Sequence, residues 1–381
     1  MKNARQISNI SILDEEIIAD IFSKLPVKTL LQLKCVCKHW RTLISTPWFI
    51  STHLKRFSSG PDARYVLGRT NDLIPIRNPG CVIKIKEPTT DAYSIVGSIN
   101  GLVCLTTIIS RQRIYLWNPS MNQFKILPLN LQRPRNCYAS VGFGYEKYSD
   151  DYKVMKILKS YIGGRACIVE VYSTKSECWR GVNADVRLNK ICTPECGVVV
   201  EGFTYWVIKN FDDRKTVLAS FDLRSEMFSF IPVPEVLETE SHSFINYDGS
   251  IALLTVSSDH DEFKKCLGVW MIEGSSCGGE GVWQKKFTFV LGFDFSTDYW
   301  FLTCLTSGDL VVRNYPNMPF LFNLRTKRLM IIGTRTPFDH KVCYYTESLV
   351  SIKGFKIVRN LKEKRKPSIP QKKSKIELTG I

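Results

Sequence analysis

The sequence lacks the features that mark secreted, membrane-spanning and metal-binding proteins. No apolar run approaches the roughly 20 residues needed to cross a bilayer, and residues 1–16 contain no unbroken apolar stretch of the signal-peptide kind. The 13 cysteines include no CxxC pair, and Cys192 and Cys196 have no second pair to complete four metal ligands. We therefore expect a protein of the cytoplasm or nucleus with buried thiols, no membrane contact, no metal and no cofactor.

Catalytic signatures are missing as well. The five histidines form no HExxH motif, and no serine stands in GxSxG. Gly142-Phe-Gly144 is not a dinucleotide fingerprint, because Lys147 occupies the third glycine position and a predicted strand follows. Two acidic stretches, Asp150-Asp151 and Asp259-His260-Asp261-Glu262, are predicted as turns between strands. The sequence therefore predicts a protein without a catalytic site of its own.

The net charge of +16 is concentrated at the C-terminus. From Lys356 onward nine basic residues face two acidic ones, and few large apolar residues accompany them. We expect residues 356–381 to be a disordered basic tail, because such a segment buries too little apolar surface to offset its ordering entropy. Its two basic clusters, at 362–366 and 372–375, resemble a nuclear import signal, and a solubilising tail is the alternative interpretation.

Residues 11–57 carry the periodicity of short helices. One apolar stripe recurs every four residues from Leu13 to Leu25, Pro26 then ends that helix, and Thr46-Pro47 is typical of the start of another. Helices in about 45 residues cannot form a large core alone, so some apolar side chains should contact another surface. A partner protein, the chain's own C-terminal domain and a bundle packed only on itself all remain possible from the pattern.

The run LDEEIIADIFSKLPVKTLLQLKCVCKHWRTLISTPWF, residues 13–49, strongly resembles the F-box. The resemblance implies docking on a Skp-type adaptor and, through it, on a cullin scaffold. One departure is Asp14, where the family usually has proline. The residues that the resemblance places at the adaptor are Leu13, Ile17, Pro26, Val27, Leu30, Leu31, Cys35, Val36, Cys37 and Trp40. Residues 1–10 are predicted as a flexible N-terminus.

From residue 60 to 355 short β-rich runs alternate with turn residues, and a hairpin pattern repeats. In each copy an aromatic residue and a small polar residue precede a turn, and an apolar residue follows seven positions after the aromatic. The copies begin at Trp117, Tyr172, Phe221 and Phe322, and a fifth unit is built on Trp270 and Trp283. The period of about 50 residues predicts four-stranded units arranged as a β-propeller.

We expect about six blades, with the strands around Tyr65 to Ile85 pairing with Tyr344 to Ile352 to close the ring. A β-sandwich array is the alternative. The predicted fold class is thus α+β and multidomain: a small N-terminal helical F-box, an all-β propeller-like domain and a disordered basic tail.

Successive segments also resemble the F-box-associated interaction domain of plants. They are GSINGLVCL, YLWNPSMNQFKILP, GFGYEKYSDDYKVMKI, VEVYSTKSECWRGV, LASFDLRSEMFSFIPVP and ESLVSI. Together the two resemblances imply a substrate-recognition adaptor of an SCF-type (Skp–cullin–F-box) ubiquitin ligase, holding an unknown target protein and leaving the chemistry to other subunits. The alternatives are a propeller enzyme, a propeller-based interaction protein, and a basic nucleic-acid binder. The last is disfavoured because the basic residues are not interleaved with aromatic stacking platforms.

Overall fold

The computed structural model describes eighteen segments of the chain. They are residues 14–59, 64–67, 72–75, 83–89, 91–108, 113–129, 131, 137–160, 167–190, 198–209, 216–234, 241–258, 265–273, 282–291, 300–304, 309–314, 318–331 and 342–358.

Four helices form the N-terminal part, as the sequence predicts. They are α1 Glu15–Ser23, α2 Val27–Leu33, α3 Lys38–Ser45 and α4 Pro47–Ser59. Asp14 occupies the N-cap position of α1 without a side-chain cap, whereas Glu15 and Glu16 suit the positive end of the helix dipole. The predicted start of α4 is confirmed, since the Phe49 N–H donates to Thr46 Oγ1 at 3.2 Å.

The four helices share one small core. Its fully or nearly fully buried members from the helices are Ala19, Phe22, Val27, Leu30, Leu43, Ile44 and Phe49. Trp40 is half-buried and meets the Phe22 ring edge to face, with 5.1 Å between the centroids. The aromatic pair fixes α3 against α1.

The remaining described residues form strands in six sheets. The strands are β1 Arg64–Leu67, β2 Asp72–Pro75, β3 Ile83–Lys84, β4 Tyr93–Ile99, β5 Leu102–Thr107, β6 Ile114–Asn118, β7 Gln123–Ile126, β8 Cys137–Glu146, β9 Asp151–Ser160, β10 Ile168–Ser173, β11 Cys178–Val182, β12 Val199–Val200, β13 Phe203–Lys209, β14 Thr216–Asp222, β15 Phe228–Pro232, β16 Ser241–Tyr247, β17 Ser250–Ser258, β18 Lys265–Glu273, β19 Val282–Leu291, β20 Trp300–Cys304, β21 Asp309–Asn314, β22 Met318–Asn323, β23 Leu329–Ile331, β24 Cys343–Thr346 and β25 Lys356–Ile357.

Each sheet is one antiparallel blade, and the blades make a closed ring. Blade 1 has the strand order β24-β1-β2-β3. Blade 2 contains β4 to β7, with β25 as an additional outermost strand. Blades 3 to 6 each contain four consecutive strands, from β8 to β23. The innermost strand of each blade lies against the next: β4 contacts β24 and β8, β8 contacts β12, β16 contacts β20, and β20 contacts β24. Between blades 4 and 5, Asn246 Nδ2 donates to the Val199 carbonyl at 3.0 Å. The predicted six-bladed ring is confirmed.

The ring closes where the sequence predicts it. Strand β24, near the C-terminus, is the innermost strand of blade 1 and pairs with β1 in the register Tyr65↔Tyr345. Beyond it, β25 adds a fifth strand to blade 2 through Lys356↔Phe124. This differs from the predicted start of the basic tail at 356, because Val358 is also buried. The rest of that tail lies outside the described residues.

The repeated hairpin has a physical explanation in each of its four copies. The aromatic residue and the residue seven positions later are cross-strand partners: Trp117↔Phe124, Tyr172↔Trp179, Phe221↔Phe228 and Phe322↔Leu329. The small polar residue after the aromatic caps the turn: Asn323 Oδ1, for example, accepts the Arg325 and Thr326 N–H groups at 3.0 and 2.7 Å. The sixth position of the unit, counting the aromatic residue as the first, has a positive φ in all four copies, at Asn122, Glu177, Glu226 and Lys327.

Neighbouring blades are joined by recurring polar contacts. The Trp179 indole N–H donates to the Pro128 carbonyl at 2.7 Å, and the Trp283 indole donates to Pro232 at 2.9 Å. Trp283 therefore occupies in blade 5 the position that Trp179 occupies in blade 3, which confirms the fifth unit. Each indole ties the outer strand of its own blade to the preceding blade.

Gly142 and Gly144 permit close packing of β8 against the next blade. A Cβ on Gly142 would lie 2.8 Å from the Trp206 ring, and one on Gly144 would lie 2.3 Å from Leu223 Cδ1. Both neighbours belong to blade 4, so these glycines let β8 approach the next blade. Of the predicted Asp150-Asp151 turn, Asp150 lies in the turn and accepts the Tyr145 hydroxyl at 2.7 Å, whereas Asp151 is the first residue of β9. Residues 192–196 and 259–262 lie outside the described residues.

Candidate docking surface

The helices expose large apolar side chains that the small core does not accommodate. Ile17 and Ile21 are 48% and 44% exposed and stand one turn apart on α1. Val36, between α2 and α3, is 62% exposed, and Trp48 near the start of α4 is 61% exposed. Large apolar side chains exposed together on one small bundle make it a candidate surface for contact with another protein.

The residues that the F-box resemblance places at the adaptor divide into exposed, half-buried and buried groups. Ile17, Pro26, Cys35, Val36 and Cys37 are exposed, Leu31 and Trp40 are half-buried, and Leu13 lies outside the described residues.

Val27 and Leu30 are buried, whereas contact with an adaptor requires exposed side chains. Both side chains have 0% exposure and belong to the bundle core. Adjacent helical residues point about 100° apart, so the core takes Leu30 and leaves Leu31 at its edge. The surface therefore consists of the exposed and half-buried residues, together with Ile21 and Trp48.

Local hydrogen bonds hold the corner between α2 and α3. The Cys37 sulfur is the N-cap of α3 and accepts the Trp40 N–H at 3.4 Å. Arg41 Nε donates to the Lys34 carbonyl at 3.0 Å, which ties α3 back to the end of α2. Val36 is held between these two contacts, so it is presented on a fixed turn. Eight cysteines of the described segments are free thiols, and three of them, Cys35, Cys37 and Cys178, are exposed, contrary to the expectation of buried thiols.

Charged side chains flank the apolar surface. On α1, Asp20 pairs with Lys24 at 2.8 Å and with Arg56 of α4 at 2.9 Å. The hydrogen bond from Lys24 and, as the second cause in size, the hydrogen bond from Arg56 lower the pKa of Asp20 below its usual value. Burial, and next the charge of Arg41, lowers the pKa of Lys34. The Asp20 contacts join α1 to α4 and leave the Ile17–Ile21 face clear of ion pairs within the described residues.

His53 is the buried titratable group of the bundle. Its Nε2 lies 3.0 Å from the Leu25 carbonyl, and its ring stacks on Phe57 with 4.1 Å between the centroids. Burial lowers the pKa of His53 below 6.5, because the charged form is desolvated. The unfolded chain therefore binds this proton more readily than the folded chain does. Stability should be full above the unfolded pKa and fall as the pH drops through it.

We expect the helices to lose stability on acidification below about pH 6.5, by up to about 1.4 kcal/mol per pH unit. Thermal melts between pH 5 and 7.5 measure this, with His53→Gln as control. Glutamine can still donate to Leu25 but does not titrate. An equal acid sensitivity in both chains would show that His53 is not the responsible group.

The helices rest on the ring through the segment that follows β24. Leu349 is 1% exposed and belongs to the helical core, and Met121 of blade 2 packs against the same cluster. Glu347 Oε2 accepts the Val27 N–H at 3.3 Å. The sequence offered the option of packing against the C-terminal domain but did not identify these residues. ESLVSI, 347–352, was recognised only as a ring signature.

In the described part of the chain, no group of three or more His, Cys, Asp or Glu side chains is placed to hold a metal ion. None of the described helices is long and apolar enough to span a bilayer. The surface on the helices is thus the site with the clearest physical rationale.

Comparison with known families agrees with this geometry. The profile of the F-box associated beta propeller domain matches residues 78–350, and that of the F-box domain matches residues 10–52. The chain belongs to the F-box-associated β-propeller family. The matched ranges cover α1 to α3, the first part of α4 and most of the ring, so the recognition of both parts from sequence is confirmed.

Curated proteins that resemble the chain include F-box proteins of Arabidopsis thaliana. An F-box/kelch-repeat protein of Arabidopsis thaliana is 26% identical over 239 residues, covering 58% of this chain and 65% of the relative. An F-box protein of the same plant is 26% identical over 317 residues, covering 72% of each chain. The chain thus spans slightly less than two thirds of the first relative.

Solved structures show only a distant likeness. An exo-β-1,3-galactanase from Clostridium thermocellum aligns with a TM-score of 0.37 and 11% identity, covering 70% of this chain and 65% of the enzyme. A likeness of that level carries no argument about activity.

Proposed function

We propose that this chain is the substrate-recognition subunit of an SCF-type ubiquitin ligase. Its F-box docks on a Skp-type adaptor and, through the adaptor, on a cullin scaffold, while the ring holds a target protein in the cytoplasm or nucleus. The protein supplies proximity and leaves ubiquitin transfer to other subunits. The observation that carries the proposal is the exposed apolar surface of the F-box, where Ile17, Ile21 and Val36 stand out of a core too small to bury them.

The support has two further parts. The F-box match covers the helices that bear the surface, and F-box proteins are the chain's relatives. The ring is a closed six-bladed propeller, an architecture that suits a protein-binding platform.

We expect Ile17→Ala combined with Val36→Ala to weaken binding to a recombinant Skp-type adaptor by about 30-fold, equivalent to about 2 kcal/mol of lost apolar burial. Both side chains are about half exposed or more, so the F-box should remain folded. Titration calorimetry measures binding, and circular dichroism checks the helices.

The matched control is Met227→Ala combined with Val282→Ala on the ring, where the side chains are 67% and 71% exposed. This pair removes exposed apolar groups away from the F-box and should leave adaptor affinity unchanged. Undiminished binding by the F-box double variant would refute the proposed surface. Failure of the unaltered chain to bind any Skp-type adaptor would refute the function.

Leu30 is unsuitable as an interface probe, because its side chain is fully buried. Its replacement by alanine should instead destabilise the F-box by about 2 to 5 kcal/mol.

A further inference from the structure

The strand that closes the ring runs directly into the F-box. Strand β24 ends at Thr346, and Leu349 lies three residues further on, 1% exposed inside the F-box core. The residues of α2 in that core are Val27 and Leu30, both at 0% exposure. A ring residue therefore completes the core of the F-box.

One carboxylate bridges the two domains. Glu347 Oε2 accepts the N–H of Val27, the first residue of α2, at 3.3 Å, and Oε1 accepts the Tyr65 hydroxyl of β1 at 3.2 Å. The first N–H groups of a helix have no partner within the helix, so an acceptor there fixes the start of α2. Tyr65 lies on β1, the strand with which β24 pairs. The Glu347 carboxylate therefore links the start of α2 to the strand pair that closes the ring.

Side chains of blade 2 hold residues 345–350 in place. Asn118 Nδ2 donates to the Ser348 carbonyl at 3.0 Å and to the Val350 carbonyl at 2.8 Å. Tyr345, fully buried, shares a 2.5 Å contact between its hydroxyl and Ser120 Oγ. The positions of Glu347 and Leu349 are therefore set by blade 2 as well as by the closing pair.

We infer that Glu347 and Leu349 are positioning residues for adaptor docking: α2 takes its binding conformation only on a closed ring. The inference rests on the proposed function for its consequence, since adaptor recruitment then depends on a completed propeller. A chain whose last blade has not closed presents an F-box with an unfilled core and a loosened α2, and recruits the ligase poorly.

The first test is Leu349→Ala in the full chain. We expect amide exchange in α2 to accelerate by about 30-fold or more, because a fully buried leucine of this core is truncated. Adaptor affinity should fall by about tenfold, although Leu349 lies outside the predicted docking surface. Hydrogen exchange with mass spectrometry measures the first effect and calorimetry the second.

The second test separates the Glu347 hydrogen bond from packing. Glu347→Ala removes both acceptors and should accelerate exchange at the start of α2 by about tenfold, in line with the loss of a helix cap. Glu347→Gln keeps an acceptor oxygen and should restore most of the protection. Equal exchange in the two variants would overturn the assignment of Glu347.

The control is Leu254→Ala, which truncates a leucine of blade 5 with 0% exposure, remote from the junction. It should lower ring stability yet leave α2 exchange unchanged while the ring is folded. Unchanged α2 exchange in Leu349→Ala would overturn the inference. The exchange readout uses the chain alone, so it decides the inference even where the adaptor fails to bind, an outcome that refutes only the proposed function.

Discussion

Removal of residues Tyr344 to Ile352 should abolish the cooperative unfolding transition of the whole ring. The deletion takes away nearly all of β24, the innermost strand of blade 1, and with it the contacts that β24 makes to β1, β4 and β20. Blade 1 would keep three strands with an open inner edge, and blades 2 and 6 would each lose a neighbour. Differential scanning calorimetry and near-ultraviolet circular dichroism measure the loss.

The control deletion removes residues 359–381, more than twice as many, all beyond β25. It should leave the melting transition in place. A chain without Tyr344 to Ile352 that still melts like the full protein would show that the ring does not depend on this closing strand. The point variant Tyr345→Ala truncates a fully buried aromatic side chain. It should lower the free energy of unfolding by about 3 to 5 kcal/mol, a milder form of the effect of the deletion.

Gly101→Ala should destabilise the protein by about 3 kcal/mol or more, an unusually large effect for one methyl group. Gly101 has φ +77° in the turn between β4 and β5, a conformation that side chains rarely adopt. In addition, the new Cβ would lie 2.2 Å from Ser348 Oγ and 2.8 Å from the Thr346 carbonyl oxygen. The second of these is backbone and cannot rotate away, so the closing segment itself must move. Chemical denaturation measures the change in the free energy of unfolding.

Gly202→Ala is a matched control for this effect. Gly202 has φ +86° in the equivalent turn of blade 4, but its nearest neighbour, the Tyr145 carbonyl oxygen, would lie 4.0 Å from a new Cβ. It should therefore show the backbone penalty alone, about 1 kcal/mol. Equal losses at both glycines would mean that the close approach to Ser348 and Thr346 contributes nothing.

The repeat was predictable because its signal is local. An aromatic residue, a turn-capping polar residue and an apolar partner recur within eight residues, and the same seven-residue span returns as the cross-strand pair Tyr172↔Trp179. Closure of blade 1 was predictable as well, since the strands left over at the two ends of the array had only one another to pair with. Blade count followed from the period.

The docking surface was only partly predictable, because burial depends on contacts between distant segments. Helical periodicity cannot decide which of the adjacent Leu30 and Leu31 points inward. The choice depends on Leu349, which is more than 300 positions away in the sequence. The burial of Val27 has the same origin, because its N–H meets Glu347. Fixed local patterns are readable from a single sequence, whereas a core shared between two domains is not.

The pairing of β1 with β24 also determines when blade 1 can be completed during synthesis of the chain. At about 5 to 20 residues per second, β24 leaves the ribosome some tens of seconds after β1, because nearly the whole ring is translated between them. During that interval β1 presents an unpaired inner edge, the kind of edge that promotes mispairing between nascent chains. The N-terminal blade is thus the first to be made and the last to be finished.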